Sequence, residues 1–243
     1  MGMNLAATRV EVYLTGFRSV NESSPDARRL EGYNRAVMET ILSPVNIGVL
    51  ALQGDFDAHR KTLEQIPGVS VQTVRTLAEL ARVDGLVLPG GESTTIGKLL
   101  NRFELMEPLR QRIANGMPIY GTCAGLILLA THIQDRPDQP SIGALNATVA
   151  RNAFGAQVDS FEADISMNEI DPAAKSIVRG VFIRAPYVVS VGDQVKVLAE
   201  YEGRIVAVRQ AAILGTAFHP ELTADNSVHE LFVSMVRNSS EVR

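Results

Sequence analysis

Tryptophan is absent from the 243-residue sequence, aromatic residues make up only 5% of it, and there is one cysteine. A single cysteine excludes an intramolecular disulfide framework and fits a reducing compartment. The scarcity of aromatic rings speaks against a platform for stacking bases. An excess of positive charge is missing too. Lys and Arg number 23 against 27 Asp and Glu, for a formal net charge of −4, which argues against nucleic acid or an anionic membrane as partner. No apolar run approaches the roughly 20 residues that cross a bilayer. The longest, Ile47–Leu52 and Leu126–Ala130, have the length of core strands or core helices. The start MGMNLAATRVEVYL has no basic segment followed by an apolar one, so a secretory signal is not expected and a cytoplasmic location is. What is present, 46% hydrophobic and 21% charged residues, is the composition of a folded protein. At roughly 150 residues per domain, the length allows one large domain or two small ones.

Residues 1–43 stand apart from the rest. They contain one strand-like run, Val10–Leu14, a polar stretch, Asn21–Arg29, and a possible helix, Arg28–Ile41. They read as an appended arm, and one explanation of it places the natural start at Met38. From Val45 a regular alternation begins. The β-branched run Asn46–Leu52 predicts a buried parallel strand. A helix over Asp55–Ile66 follows, stopped by Pro67–Gly68. Val69–Val74 and Asp84–Leu88 read as strands around a short helix, Leu77–Arg82. Pro89–Gly90–Gly91 turns the chain into a helix toward Leu100, and Glu107–Asn115 is another. Pro118–Tyr120 is a short strand and Leu126–His132 a helix. After the loop Gln134–Ser141 come strand-like runs at Ala147–Val149, Gly180–Ile183, Gln194–Leu198, Ile205–Arg209 and Ile213–Ala217. A closing helix spans Asn226–Arg237. This order predicts one α/β domain over residues 44–243: three layers, with a mostly parallel central sheet and helices on both faces.

Several segments could carry chemistry. Gly121–Thr122–Cys123–Ala124–Gly125 lies between a strand and an apolar helix. Small residues around a central nucleophile are what a sharp strand-to-helix elbow needs. There Cys123 meets the positive end of a helix dipole, which favours thiolate, and the amide of Ala124 faces a developing oxyanion. The competing reading is a buried structural cysteine. In His219–Pro220–Glu221, residues two apart in an extended segment point the same way, so Glu221 can orient the His219 imidazole as a general base. The alternative is a loop histidine beside a surface glutamate. His59, His132 and His229 lack such a neighbour and are expected on the surface or on helix faces. Asp55, Asp57 and His59 resemble metal ligands, but no second cluster joins them, so no metal is assigned. Pro89–Thr94 ends a strand at the carboxyl edge, where open α/β sheets bind ligands. Its glycines can turn backbone amides toward a carbonyl, and Glu92 can hold an ammonium group. Gly91–Lys98 fails as a phosphate loop, because five residues rather than four separate Gly91 from Gly97 and Leu99 stands where Ser or Thr must be. Arg151, in Arg151–Gly155, and Arg184, in Phe182–Pro186, could each grip a carboxylate or be plain surface cations.

Taken together, these segments resemble the triad-type (class I) glutamine amidotransferases, and more narrowly the glutaminase subunits of pyridoxal 5′-phosphate synthases. VLALQGD, LPGGESTT, GTCAGLILLA, RNAFGAQVDSFE, FIRAP and AFHPELT occur in order from Val49 to Thr223. GTCAG and HPE alone indicate only the superfamily, whereas the other segments are narrower. Ala156 and Ala150 depart from the pattern where basic or charged residues are common.

The resemblance implies Cys123 as nucleophile, His219 as base and then acid, and Glu221 as orienter. It implies an oxyanion hole from the backbone of Gly91 and Ala124. L-glutamine would be held by Gly91, Glu92, Ser93, Arg151, Ile183 and Arg184, and no cofactor is implied. The implied partner is a (β/α)8-barrel subunit that receives ammonia and makes pyridoxal 5′-phosphate from ribose 5-phosphate and glyceraldehyde 3-phosphate. Two alternatives stay open on the sequence: a glutaminase serving another synthase, such as that for imidazole glycerol phosphate, or a non-catalytic module that keeps the fold.

Overall fold

Alternating apolar runs and turn signals from Val45 onward become a central sheet with helices packed on both sides. The structure, a computed structural model of the chain, describes residues 44–134, 136–151, 160–170 and 176–241. The first half follows the expected order: β1 (Val45–Leu50), α1 (Phe56–Leu63), β2 (Val69–Val74), α2 (Leu77–Leu80), β3 (Gly85–Leu88), α3 (Ser93–Arg102), α4 (Met106–Ala114), β4 (Ile119–Thr122) and α5 (Ala124–Leu129). The second half contains β5 (Ala130–Ile133), β6 (Leu145–Ala150), β7 (Ser160–Met167), β8 (Ser176–Ile183), β9 (Tyr187–Val191), β10 (Lys196–Tyr201), β11 (Arg204–Gln210) and β12 (Ile213–Thr216). A 3₁₀ turn, Pro220–Leu222, and α6 (Ser227–Glu241) complete it.

The main sheet has the order β2-β1-β3-β4-β12-β11-β9-β6-β5. Its first five strands are parallel neighbours. β11, β9 and β6 then continue it in antiparallel fashion, and β5 pairs parallel to β6. β10 lies antiparallel to β11, and β7 with β8 forms a separate two-stranded ribbon. The parallel block is buried on both faces, which is why β3 and β4 carry no exposed position.

Strand alternation sorts the two faces. Tyr120 of β4 packs against Phe232 and, edge to face, against His229, both of α6, and likewise against His59 of α1. Gly121 and Gly215 point the other way: a Cβ on Gly121 would strike Gly125, and one on Gly215 would strike Leu126, both in α5. One face of the sheet therefore holds α1 and α6 and the other holds α5, giving the expected three layers.

Some local expectations differ. The helix read over Leu126–His132 is in fact α5 ending at Leu129, after which Ala130 adopts an extended conformation and begins β5. A short continuous apolar run has no period that separates buried helix from buried strand, and tertiary pairing with β6 decides. β7 and β9 were not anticipated, and β10 starts at Lys196, past Gln194. Ala150, at the end of β6, is buried, which accounts for an uncharged residue there. The arm elements Val10–Leu14 and Arg28–Ile41, the start at Met38, and Asn152, Phe154, Gly155, Ala156 and Gln157 lie outside the described residues.

β3 and α5 approach closely at Gly125, where a Cβ would sit 2.2 Å from the Leu88 carbonyl oxygen. Neither partner is a flexible side-chain end, so Gly125→Ala is expected to force β3 and α5 apart. It should lower unfolding free energy by about 1–3 kcal/mol, the usual range for overpacking, in urea titration. An unchanged midpoint would contradict this packing.

Candidate active site

β4 and β12 are neighbours in register, with Gly121 opposite Gly215 and Thr122 opposite Thr216. The ladder continues one step further, where the Cys123 amide donates to the Thr216 carbonyl at 2.8 Å. That register sets Cys123, at the tip of β4, beside the segment that follows β12. His219 and Glu221 lie on that segment.

Cys123 forms the corner between β4 and α5 with φ 48° and ψ −99°. A non-glycine residue in such a conformation costs on the order of 1–3 kcal/mol and persists only where its surroundings impose it. Gly121 and Gly125 allow the sharp turn, because side chains at either would collide. The thiol is mostly covered and lies 4.0 Å from the Ile183 carbonyl, to which it can donate a long hydrogen bond.

His219 is anchored by its amide, which donates to the Val181 carbonyl of β8 at 2.8 Å. Its Nδ1 lies 2.7 Å from Glu221 Oε1. Gly90 presses against the other side of the ring: a Cβ there would sit 2.2 Å from His219 Cε1. Burial lowers the His219 pKa, but hydrogen bonding to Cys123 and to Glu221 outweighs it and raises the pKa to about 10. Burial likewise opposes the charge on Glu221, yet the His59 and His219 imidazoles hold its carboxyl well below the usual carboxylate range. An ionised carboxylate, an imidazole able to carry a proton, and a thiol thus converge at one corner. This is the arrangement of nucleophile, base and orienter.

The environment of Glu221 corrects the expectation for two histidines. His59 and His229 do lie on helices, α1 and α6, but on inward faces: both are fully buried and both have close polar neighbours. His59 Nε2 is 3.2 Å from Glu221 Oε1 and 3.1 Å from Thr122 Oγ1, and its Nδ1 is 2.9 Å from His229 Nε2. Burial first, then His59, lowers the His229 pKa to about 3, so that ring is neutral. His132 is exposed, as expected. The carboxylates near His59 serve helix α1: Asp55 accepts from the Ala58 amide and Asp57 pairs with Arg60. Among the described residues, no group of three His, Cys, Asp or Glu side chains is placed to hold a metal ion.

The loop Pro89–Glu92 passes between His219 and the segment Gln53–Gly54. Gly91 has φ +153°, and a Cβ on it would meet the Gln53 side chain at 2.6 Å. Gln53 Oε1 accepts from the Glu92 amide at 2.8 Å, so Gln53 positions this loop. Its part was unassigned in the sequence, where it appeared only within VLALQGD. Ala124 is the first residue of α5, next to the thiol.

Other anticipated residues gather at the mouth of this corner. Glu92 caps α3, accepting from the amides of Thr94 and Thr95 at 3.2 and 2.7 Å. Burial works against its charge, but hydrogen bonds from Thr95 and Thr94 bring its pKa down to about 2. Arg151 is not a free surface cation. It donates to Glu92 at 3.2 Å, to Gln139 at 2.9 Å and to Thr94 at 3.3 Å. Ser93 is buried and reaches the same Gln139 oxygen at 3.5 Å. Arg184 follows Ile183 with φ 44°, a second residue held in the left-handed region beside the thiol's carbonyl contact.

The raised His219 pKa fixes a sign for stability. A histidine at about 10 when folded and about 6.5 when unfolded contributes fully below pH 6.5 and loses that contribution as pH rises toward 10. Wild-type protein is therefore expected to lose more stability between pH 6.5 and 10 than His219→Asn does, read as denaturation midpoints at each pH. Identical pH slopes would contradict the assignment of a retained proton.

Comparison with known proteins completes the picture. Residues 49–238 match the model of the SNO glutamine amidotransferase family. The chain is 55% identical over 203 residues to a protein from Frankia alni named pyridoxal 5′-phosphate synthase subunit PdxT, covering 83% of this chain and all of that one. The same name is borne by a Streptomyces avermitilis protein 57% identical over 194 residues, covering 79% of this chain and 94% of the relative. A crystal structure described as a glutamine amidotransferase superposes with a TM-score of 0.74 at 43% identity, over 78% of this chain and 98% of the other. PurLQS from Thermotoga maritima, at 17% identity and a TM-score of 0.60 over 83% of this chain and 100% of that one, shares the fold. A family model spanning most of the described sequence and relatives alike along nearly their whole length lead to one conclusion: the chain belongs to the SNO glutamine amidotransferase family.

Proposed function

We propose that residues 44–243 form a glutaminase domain that hydrolyses L-glutamine to L-glutamate and ammonia through Cys123, His219 and Glu221. The ammonia passes to a (β/α)8-barrel subunit that makes pyridoxal 5′-phosphate from ribose 5-phosphate and glyceraldehyde 3-phosphate. The name shared by the Frankia and Streptomyces relatives supports that choice of partner over another synthase. The observation that carries the chemistry is the His219 ring, 2.7 Å from an ionised Glu221 and hydrogen-bonded to Cys123.

Cys123, as a thiolate whose proton His219 already holds, attacks the side-chain amide carbon of glutamine. The amides of Gly91 and Ala124 receive the charge that develops on oxygen. His219 then protonates the leaving nitrogen, and ammonia departs from a γ-glutamyl thioester. Water, deprotonated by His219, cleaves the thioester and frees glutamate. Glu221 stays ionised throughout and keeps Nδ1 as the bound face of the ring. Ammonia released into water would be protonated and lose its nucleophilicity, which is the chemical reason for direct delivery to a partner.

The ends of glutamine are recognised by charge. Glu92 suits its ammonium group and Arg151 its carboxylate, with Ser93, Ile183 and Arg184 lining the same mouth. Glu92 and Arg151 pair with each other at 3.2 Å, and glutamine between them exchanges that one ion pair for two. A reducing cytoplasm suits a chain whose only cysteine must remain a thiol.

Cys123→Ala is expected to abolish glutamate release in the presence of the barrel subunit while leaving association with that subunit unchanged by analytical centrifugation. Undiminished ammonia production by the variant would defeat the proposal. Arg151→Ala should raise the KM for glutamine roughly tenfold, the effect of losing one charge-assisted hydrogen bond, with a smaller change in kcat. An unaltered KM would remove Arg151 from the binding site.

A further inference from the structure

Behind the three residues of the reaction lies a second, dry layer. Glu221 Oε1 accepts from His219 on one side and contacts His59 Nε2 at 3.2 Å on the other. Both His59 and the Glu221 side chain are wholly shielded from solvent. Glu221 Oε2 has no hydrogen-bond partner among the described residues. One oxygen therefore carries all the visible support for a buried negative charge, and that support comes from two imidazoles. Leaving such a charge half-supported is costly, because the interior cannot replace the lost hydration.

A carboxylate only accepts hydrogen bonds. The proton must accordingly lie on His59 Nε2, with Thr122 Oγ1 at 3.1 Å sharing it. His59 Nδ1 then faces His229 Nε2 at 2.9 Å, and the neutral His229 ring can donate to it. The groups that face Glu221 and His59 from the surrounding elements are few: His219 on the same segment, Thr122 and Tyr120 from β4, and His229 from α6. Tyr120 is no rival donor to the carboxylate, since its hydroxyl is engaged with Thr216 Oγ1 at 3.0 Å.

We propose that His59 is a positioning residue of the reaction: its Nε2–H clamps Glu221 Oε1 from behind, His229 fixes the tautomer of His59, and the pair thereby aims Glu221 at His219. The inference rests on the reading of Glu221 as the orienting carboxylate. It adds to the three residues a buried chain of contacts that runs from α1 to α6 on one face of the sheet and touches no substrate atom. Its consequence is specific. Without the clamp, Glu221 is less well held as an anion, His219 keeps its proton less tightly, and the ring loses orientation. Catalysis falls while glutamine binding at the mouth is spared.

The test compares wild type, His59→Leu and His59→Gln in the full chain. Gln places an amide N–H near the position of Nε2, whereas Leu fills the space without a donor. Two readouts are taken: kcat and KM for glutamine with the barrel subunit, and the ring ¹⁵N titration of His219 in the free chain. His59→Leu is expected to lower kcat roughly tenfold, a fraction of the 10²–10⁴ that a positioned acid–base group supplies, with KM within about twofold of wild type. It should also move the His219 titration to lower pH, and His59→Gln should restore most of both. A folded His59→Leu with wild-type kcat and His219 titration overturns the proposal, as does a His59→Gln no better than His59→Leu. Should His59→Leu fail to fold, the wild-type spectrum still decides, because a His59 ring unprotonated at Nε2 cannot clamp a carboxylate. If wild type releases no glutamate at all, the glutaminase reading fails, while the ¹⁵N titrations judge the clamp separately.

Discussion

A cysteine forced into a left-handed turn at the end of a parallel strand is the constraint on which the rest of this structure hangs. Cys123 can occupy that corner only because β4 and β12 are locked in register, because glycines stand at 121 and 125, and because α5 packs its apolar surface against β3 and β4. The same register delivers His219. β12 ends beside β4, so the segment after it emerges next to the corner, and its amide bond to Val181 holds it there. Sheet topology thus does what no local sequence could, bringing a thiol and an imidazole from distant parts of the chain to one place.

Charge is arranged in shells around that corner. Nearest the thiol stands an imidazole with a raised pKa, then a carboxylate kept ionised, then a pair of buried histidines. At the mouth, Glu92 and Arg151 form an ion pair that is partly open to water. The inner set is dry and fixed; the outer set is accessible and exchangeable. Such a division separates chemistry from recognition, and it is consistent with a small zwitterionic amide as substrate.

Much of this was legible in the sequence, for physical reasons. Buried parallel strands announce themselves as continuous apolar runs, so β1, β3 and β12 were readable, and the elbow around Cys123 needs small residues that appear as GTCAG. His219 and Glu221 were readable because their relation is local, two residues along an extended segment. The parts that escaped are those in which distant segments decide. Leu126–Ala130 is uniformly apolar and so has no readable period, and only pairing with β6 turns the chain from Ala130 onward into a strand. His59 and His229 each appeared unaccompanied, since their partner in each case lies on another element. The pairing of Arg151 with Glu92 was hidden for the same reason, as was the hold of Gln53 on the loop at Gly91.

The central claim is that sulfur, imidazole and carboxylate work as one unit on a glutamine amide. Rapid acid quench of the complex during glutamine turnover, followed by peptide mapping in a mass spectrometer, tests it most directly. The account predicts a γ-glutamyl thioester on Cys123 that forms and decays at the rate of glutamate release. Glutamate production without any acyl group on Cys123 would contradict it.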